Sequence, residues 1–194
     1  TAVPSLSINT NSFSCANIGS NIVTLTVTDF YNNSSACNAT VEVEDVTAPV
    51  ALCQNLTIQL NNSGSASTTA SAVNNGSSDA CGILNLELNT STFSCLNVGD
   101  NAVVLTVTDV NLNSSSCNAI ITVEDNINPS IVCNLPVTVN NDFGVCGAAV
   151  NYTNSSSDNC SGEIITQSTG LSSGSVFPVG TTTNTFIVTD ASGN

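Results

Sequence analysis

The sequence contains no lysine, arginine or histidine but 14 acidic residues, so its formal net charge is −14. Nucleic-acid binding requires cations that displace the counterions of the phosphates, and this chain has none. Catalytic triads, Cys–His dyads and Schiff-base chemistry are excluded because each needs a histidine or a lysine. Lys–Asn isopeptide cross-links are impossible for the same reason. These absences favour a non-enzymatic chain that stabilises or binds.

Methionine and tryptophan are also absent, and aromatic residues make up only 4% of the 194 residues. Small polar residues are abundant instead, since 29 Asn, 28 Ser and 24 Thr together occupy 81 positions. The hydrophobic fraction is nevertheless 41%, mostly Val, Ile, Leu and Ala, which suffices for thin cores and argues against disorder. The longest apolar runs are too short to span a bilayer, so no membrane span is predicted. No signal peptide is visible, and we expect a piece of a longer protein.

An internal repeat sets the organisation of the chain. Residues 13–49 align without gaps on residues 93–129, and about 22 positions are identical. The offset between these two copies is 80 residues. A third copy follows at an offset of 81, since Val98-Gly99 reappears as Val179-Gly180. The spacing predicts three parts: the second half of one repeat at 1–46, a complete repeat at 47–126, and a repeat lacking its last strand at 127–194.

Within a repeat, the pattern is that of short β-strands. Segments rich in Val, Ile and Thr alternate partly and end in clusters of Asn, Ser and Gly. In the complete repeat, this pattern predicts strands near 50–53, 56–60, 66–72, 83–88, 102–108 and 117–123. No stretch shows a helical periodicity bounded by caps. Six or seven short strands in about 80 residues predict an all-β fold of tandem immunoglobulin-like β-sandwiches.

The chain has nine cysteines, and this odd number needs an explanation. Truncation of the first and third repeats accounts for it without a reactive thiol, since the third-repeat counterpart of Cys117 would fall after the last residue. We expect three disulfides: Cys53–Cys117, Cys81–Cys95 and Cys146–Cys160. Four cysteines in one repeat allow three connectivities, so other pairings stay open. A Cys₄ metal site is the rival interpretation, but CxxC pairs and histidine are lacking. Disulfides predict an oxidising, extracytoplasmic location.

Several motifs resemble one known family. In the third repeat they are PSIVC at 129–133, SDNC at 157–160 and GLSSGSVFPVGTTTNTFIVTDASGN at 170–194. In the second repeat they are SDACGI, FSCLNVGDN, LTVTDVNLNSSSC and TVEDNINP. These motifs cover nearly the whole chain and resemble the hyalin repeat (HYR) module. The resemblance implies an immunoglobulin-like β-sandwich of an extracellular adhesion protein, in arrays like those of large surface proteins and gliding adhesins of Bacteroidetes. The second repeat reads LNVG at 96–99 where the family has FPVG, a departure confined to one loop.

Nine of the 14 acids occupy repeat-equivalent positions. In a sandwich of this type, the last strand of one repeat and two loops of the next meet at the junction between repeats. We therefore expect two groups of carboxylates: Glu44, Asp45, Asp79 and Asp109 at the first junction, and Glu124, Asp125, Asp158 and Asp190 at the second. Gathered carboxylates are costly unless a hard cation neutralises them, so the groups predict Ca²⁺ at each junction. The segment EDNINP at 124–129 is also loosely similar to the linker of cadherins, which use calcium in this way.

A local interpretation of the same acids competes with calcium. Asp29, Asp109 and Asp190 would each hold an Asx-type turn, as between Asp109 and Asn113. The pair Glu44-Asp45 would then be a solvated part of the linker. Either interpretation leaves charged linkers that repel and extend.

The sequence as a whole predicts a structural stalk or filament segment of an extracellular cell-surface adhesin, giving length, stiffness and protease resistance. Its partners would be the neighbouring repeats, and beyond them identical chains in a filament or surface glycans. One alternative is a glycan- or protein-binding module that uses end loops or a polar sheet face. Another is a non-catalytic spacer of a secreted enzyme. The stalk is favoured because Phe13, Phe93 and Phe177 recur at matching or nearby places, as core residues do, and form no unique aromatic cluster.

Overall fold

The computed structural model describes residues 3–133 and 136–194, which form mainly short β-strands. The first predicted repeat contains β1 (Ser5–Ile8), β2 (Gly19–Thr28) and β3 (Ser34–Val43). The second contains β4 (Leu56–Gln59), β5 (Ser65–Ser67), α1 (Ala70–Val73), β6 (Ile83–Leu88), β7 (Thr92–Ser94), β8 (Gly99–Asp109) and β9 (Ser114–Glu124). The third contains β10 (Ser130–Val132), β11 (Gly147–Ala149), β12 (Ser155–Ser157), β13 (Ile164–Thr169), β14 (Val176–Pro178) and β15 (Thr185–Thr189). Two 3₁₀ turns, Cys15–Asn17 and Cys95–Asn97, lie 80 residues apart.

The second repeat is built on a four-stranded sheet with the order β4-β9-β8-β6. β4 runs parallel to β9, whereas β6 is antiparallel to β8. Buried and less buried residues alternate along the second half of β8 and along β9, because successive side chains of a strand point to opposite faces. The residues on the inner face are almost fully buried: Val103, Leu105, Val107, Ala119, Ile121 and Val123.

Smaller sheets complete the three repeats. β5 pairs with β7 and buries Phe93, while β2 lies between β1 and β3. In the third repeat, β10 pairs with β12, β11 with β14 and β13 with β15, all antiparallel. Phe177 of β14 pairs with Ala148, as Phe93 of β7 pairs with Ala66. The predicted fold class, all-β and disulfide-stapled, is confirmed.

The strand predicted at 66–72 is wrong in its second half. β5 ends at Ser67, and a single helical turn begins at Ala70, where the Thr69 side-chain oxygen accepts a hydrogen bond from the Ala72 N–H at 3.2 Å. A threonine at this position favours a helix start because its hydroxyl satisfies a free N–H. The turn buries Val73 completely. The strand predicted at 50–53 forms only two isolated bridges, from Val50 to Ser78 and from Cys53 to Asn74.

The contacts divide the chain into two compact units. The first comprises residues up to Cys53, Asn74–Leu88 and Val104–Asn118, and the second comprises Gln54–Val73, Asn89–Val103 and Ala119–Asn194. The boundary predicted at 46/47 therefore lies inside the first unit and the boundary at 126/127 inside the second. Each unit joins the end of one repeat to the beginning of the next. In the part of the chain that the structure describes, no helix has the length and apolarity needed to cross a membrane.

Candidate functional site at the repeat junctions

Two disulfides cross from one predicted repeat to the next. Cys15 is bonded to Cys81 and Cys95 to Cys160, with sequence separations of 66 and 65 residues. Cys15 and Cys95 each begin one of the two equivalent 3₁₀ turns. Cys81 and Cys160 occupy the equivalent loops SDAC and SDNC, just before β6 and β13. Each junction therefore carries the same covalent link, which we call the staple.

The predicted pairing of Cys81 with Cys95 is wrong. β6 is antiparallel to β8 and places Ile83 opposite Asp109, so Cys81 lies near the end of β8. Cys95 precedes Gly99, where β8 begins. The 11 residues of β8 extend about 30 Å, far beyond the reach of a disulfide. The sequence contained one indication against this pairing. Cys160 is the equivalent of Cys81, but the third repeat has no equivalent of Cys95 with which it could pair.

The predicted pairing of Cys146 with Cys160 is also wrong, since Cys160 belongs to a staple and Cys146 is free and exposed. The strand pairs β11–β14 and β5–β7 are equivalent, and Gly147 of β11 corresponds to Ser65 of β5. Cys146 comes just before Gly147, and Gly64 comes just before Ser65. Cys146 therefore occupies the position equivalent to Gly64. The described residues of the third repeat also contain no equivalent of the 3₁₀ turn that carries the staple cysteine in the first two.

The prediction for Cys53 and Cys117 is confirmed, with a Cα–Cα distance of 5.9 Å and a sequence separation of 64. Its equivalents, Cys133 and Cys37, are free and exposed. By the 80-residue offset, the partner of Cys37 would precede Thr1 and that of Cys133 would follow Asn194.

Gly64 makes close contact with the second staple. A Cβ atom built on Gly64 would lie 2.6 Å from Cys95 Sγ and 2.7 Å from the backbone oxygen of Asn159. Its φ of +68° is in the left-handed region, which side chains other than glycine adopt at a cost. Glycine at this position therefore lets the backbone approach the staple.

Three aspartates hold Asx-type turns with an asparagine four residues later, as the local interpretation predicted. The Asp109 carboxylate accepts bonds from the Asn113 backbone N–H at 2.8 Å and from Asn113 Nδ2 at 2.9 Å. Asp190 is bound in the same way by Asn194, and Asp29 by Asn33.

These turns change the acidity of the three aspartates. Burial raises the pKa of Asp109 and Asp190, but the hydrogen bonds from Asn113 and Asn194 outweigh it, so both pKa values lie below the ordinary value. The pKa of Asp29 is lowered too, first of all by the side chain of Asn33.

The turn asparagines also bind the linkers between repeats. Asn113 Nδ2 donates to the backbone oxygen of Asp45 at 3.0 Å, and Asn194 Nδ2 donates to that of Asp125 at 2.8 Å. Each linker is thus tied to the turn that follows a strand of the next repeat, β8 at the first junction and β15 at the second. The same contact occurs in both compact units.

The second junction gathers three carboxylates. Asp125, Asp158 and Asp190 have carboxylate oxygens within 4.8 Å of one another, and Asp125 and Asp190 are buried. At 4.8 Å, two unit charges repel by about 3 kcal/mol at an effective dielectric constant near 20. The sequence holds no side-chain cation to offset this repulsion.

The first junction gathers fewer carboxylates. Asp45 and Asp79 group with Cys81, whose sulfur is already in a staple and offers no thiolate. Asp109 is fully buried in its turn but lies outside this group. The buried side-chain oxygens Asp45 Oδ2 and Asn111 Oδ1 have no hydrogen-bond partner among the residues described.

The two glutamates predicted at the junctions belong to neither group in the described ranges. Glu124 Oε2 accepts bonds from Gln59 Nε2 at 2.6 Å and Asn126 Nδ2 at 3.5 Å. Glu44 is exposed to solvent. They diverge because adjacent residues of an extended segment point to opposite sides, so only the aspartate of each Glu-Asp pair turns inward. Sequence reasoning missed Asn159, whose Nδ2 donates to Asp125 Oδ1 at 3.0 Å.

Comparison with known proteins found a family that matches the third repeat and a relative that matches most of the chain. The family model of the HYR domain matches residues 124–194. Hyalin from Strongylocentrotus purpuratus is 32% identical over 185 residues, which cover 91% of this chain and 15% of the length of hyalin.

Two solved structures were also found. The first contains extracellular cadherin domains 1–4 of protocadherin gamma B7, with 12% identity, coverage of 97% of this chain and 64% of that chain, and a TM-score of 0.36. The second, PcdhgB3 EC1-4, has 13% identity, coverage of 98% and 56%, and a TM-score of 0.40. Both TM-scores are too low to support an inference about this chain. The HYR family model thus matches the third repeat, and most of the chain is similar in sequence to hyalin.

Proposed function

We propose that this chain is a load-bearing spacer in an extracellular adhesion-type protein. The observation that carries the proposal is the staple, which occurs at both junctions between equivalent residues. A link inside one repeat would stabilise that repeat alone. A link between repeats joins successive repeats covalently and limits how far the chain extends under tension.

The compact units support this function, because each one contains a junction together with its staple and its linker contact. Independent domains joined by flexible linkers would instead have few contacts at their boundaries. In addition, one staple that closes a loop of about 65 residues contributes about 4 kcal/mol in the chain-entropy model. That is a large share for small domains with few aromatic residues.

The location and the absence of catalysis belong to the same proposal. Disulfides persist in oxidising compartments, which is consistent with an extracellular location. The relationship to hyalin and to the HYR family favours an adhesion context over an enzyme. Length, stiffness and resistance to proteases would then be the properties under selection.

The test is to stretch single oxidised chains from their two ends and repeat the experiment after reduction. A spacer held by staples should stop extending at about a third of its reduced length and refold reproducibly over many cycles. A binding module needs no such limit and should instead bind a ligand saturably on glycan or protein arrays. Equal extension of oxidised and reduced chains would refute the load-bearing function.

A further inference from the structure

We propose that Asp125, Asp158, Asp190 and Asn159 form a Ca²⁺ site at the second junction. This inference stands on the geometry of these four side chains and does not require the spacer function. It also changes the set of calcium ligands predicted from the sequence. Glu124 is removed from the set, and Asn159, which the pattern of acidic residues did not reveal, is added to it.

Buried oxygens without partners point to a ligand. In the part of the chain that the structure describes, Asp125 Oδ2, Asp158 Oδ1 and Asn159 Oδ1 are buried and accept no hydrogen bond. Asp125 is only 4% exposed, so water does not easily replace the missing partner. A buried carboxylate oxygen without a partner is costly, and a bound cation removes that cost.

Hydrogen bonds hold the other polar atoms of these side chains and leave these three oxygens free. Asp125 Oδ1 accepts from Asn159 Nδ2 and from the Ile127 N–H, at 3.0 and 3.3 Å. Asp158 Oδ2 accepts from the Cys160 N–H at 3.2 Å. The Asn159 amide nitrogen is occupied by Asp125, so its oxygen is the free end. The donors therefore orient each group before a cation arrives.

Asp190 completes the set. Its carboxylate is fixed by Asn194, and Oδ2, which accepts from Asn194 Nδ2, keeps a second lone pair that can bind a cation. The three carboxylates have oxygens within 4.8 Å of one another. Oxygens that share one Ca²⁺ at 2.3–2.6 Å can be at most about 5 Å apart, so this spacing fits a single ion.

The donor set selects Ca²⁺ among common cations. All candidate ligands are oxygens, which hard cations prefer, whereas Zn²⁺ would seek sulfur or imidazole. Cys160, the nearby sulfur, is already in a staple, and the chain has no histidine. Mg²⁺ gives up its water shell reluctantly and should bind more weakly.

The experiment uses the whole oxidised chain, freed of metal, and titrates CaCl₂ by calorimetry and by ¹H–¹⁵N NMR. We expect a dissociation constant of about 10⁻⁴ to 10⁻³ M, as in other extracellular calcium sites. The NMR shifts should concentrate on Asp125–Ile127, Asp158–Cys160 and Asp190–Asn194, including the Asn159 side-chain amide. MgCl₂ should produce smaller shifts at the same concentration.

Variants separate a specific site from general attraction to a chain of charge −14. Asp125→Asn and Asp158→Asn should each weaken the binding at least tenfold, while the exposed Glu42→Gln, which removes the same charge, should not change it. An equal loss in Glu42→Gln, or calcium shifts spread over the surface, would overturn the site. Absence of any shift at Asn159 in the unaltered chain would overturn it without relying on the folding of a variant. A failed site with intact staples would leave the spacer function standing.

Discussion

The staples make a quantitative prediction about how far the chain can be stretched. A taut chain follows its shortest covalent path, which crosses from Cys15 to Cys81 and from Cys95 to Cys160. This path contains 14 residue steps to Cys15, 14 from Cys81 to Cys95 and 34 from Cys160 to Asn194, which make 62 of the 193 steps in the chain. At about 3.6 Å per step, the oxidised chain should reach about 220 Å and the reduced chain about 690 Å.

Removing one staple should lengthen the oxidised chain by a defined amount. In the double variant Cys95→Ser/Cys160→Ser, the shortest path crosses to Cys81, returns to Cys53 and crosses to Cys117. Its segments have 14, 28 and 77 steps, together 119, so the limit should rise to about 430 Å.

The third disulfide provides a matched control. The double variant Cys53→Ser/Cys117→Ser also loses one bond, but that bond is not on the shortest path, so the limit should stay at about 220 Å. Optical tweezers or force microscopy with handles at both ends would measure all four lengths. The pairing Cys81–Cys95, Cys146–Cys160 and Cys53–Cys117 would instead give segments of 52, 29 and 34 steps, together 115 and thus about 410 Å for the unaltered chain. That result would refute the staples.

Three further predictions concern thiols, packing and pH. Alkylation of the unfolded, unreduced chain should label three of the nine cysteines, and peptide mapping should identify them as Cys37, Cys133 and Cys146; label on any other cysteine would contradict the pairing. Gly64→Ala should lower the free energy of unfolding by more than the roughly 1–2 kcal/mol cost of a left-handed alanine, because the new methyl group also meets Cys95 Sγ. Gly76→Ala is the control, since Gly76 has φ +83° and open space around it, and an equal loss in both variants would show that Gly64 is not packed against the staple. The lowered pKa of Asp109 means that its ionised form stabilises the folded state above about pH 4, and that this contribution disappears as pH falls through the folded pKa. The difference in unfolding free energy between the unaltered chain and Asp109→Asn should therefore shrink below pH 4 in urea titrations, and a constant difference would be inconsistent with this assignment.

The fold could be predicted largely from the sequence because its signals are local. Val, Ile and Thr define β8 and β9 where one face is buried, and alternating leucines define β6. The 80-residue repeat extends the assignment to the first copy. The helical turn at α1 was missed because it is one turn long and has no periodicity to detect. Its start depends on a single hydroxyl, that of Thr69.

The junctions could be predicted only in part, because pairing between repeats depends on geometry that no single repeat contains. Cys81 and Cys95 are close in sequence, but an 11-residue strand separates them in space. The repeat was nevertheless informative, because it correctly placed Asp45 and Asp125 at equivalent positions in the two junctions. The backbone oxygen of each accepts a hydrogen bond from the turn asparagine, Asn113 or Asn194. Asn159 stayed hidden because the second repeat has Ala80 at that position, so repetition gave no signal for it.

The abundance of asparagine follows from the absence of cations. A buried carboxylate needs donors, and in most proteins lysine or arginine provides them together with a positive charge. Here the neutral amides of Asn113 and Asn194 provide the donors to the buried Asp109 and Asp190, and each asparagine lies four residues after its aspartate. Amides satisfy lone pairs but cancel no charge, so they suffice for one carboxylate in a turn and fail where three converge. The second junction is such a place, and two of its carboxylate oxygens, Asp125 Oδ2 and Asp158 Oδ1, remain without partners among the described residues, against one at the first junction, Asp45 Oδ2. A chain without basic residues can therefore bury isolated aspartates unaided, whereas a cluster of them requires a cation from the surrounding medium.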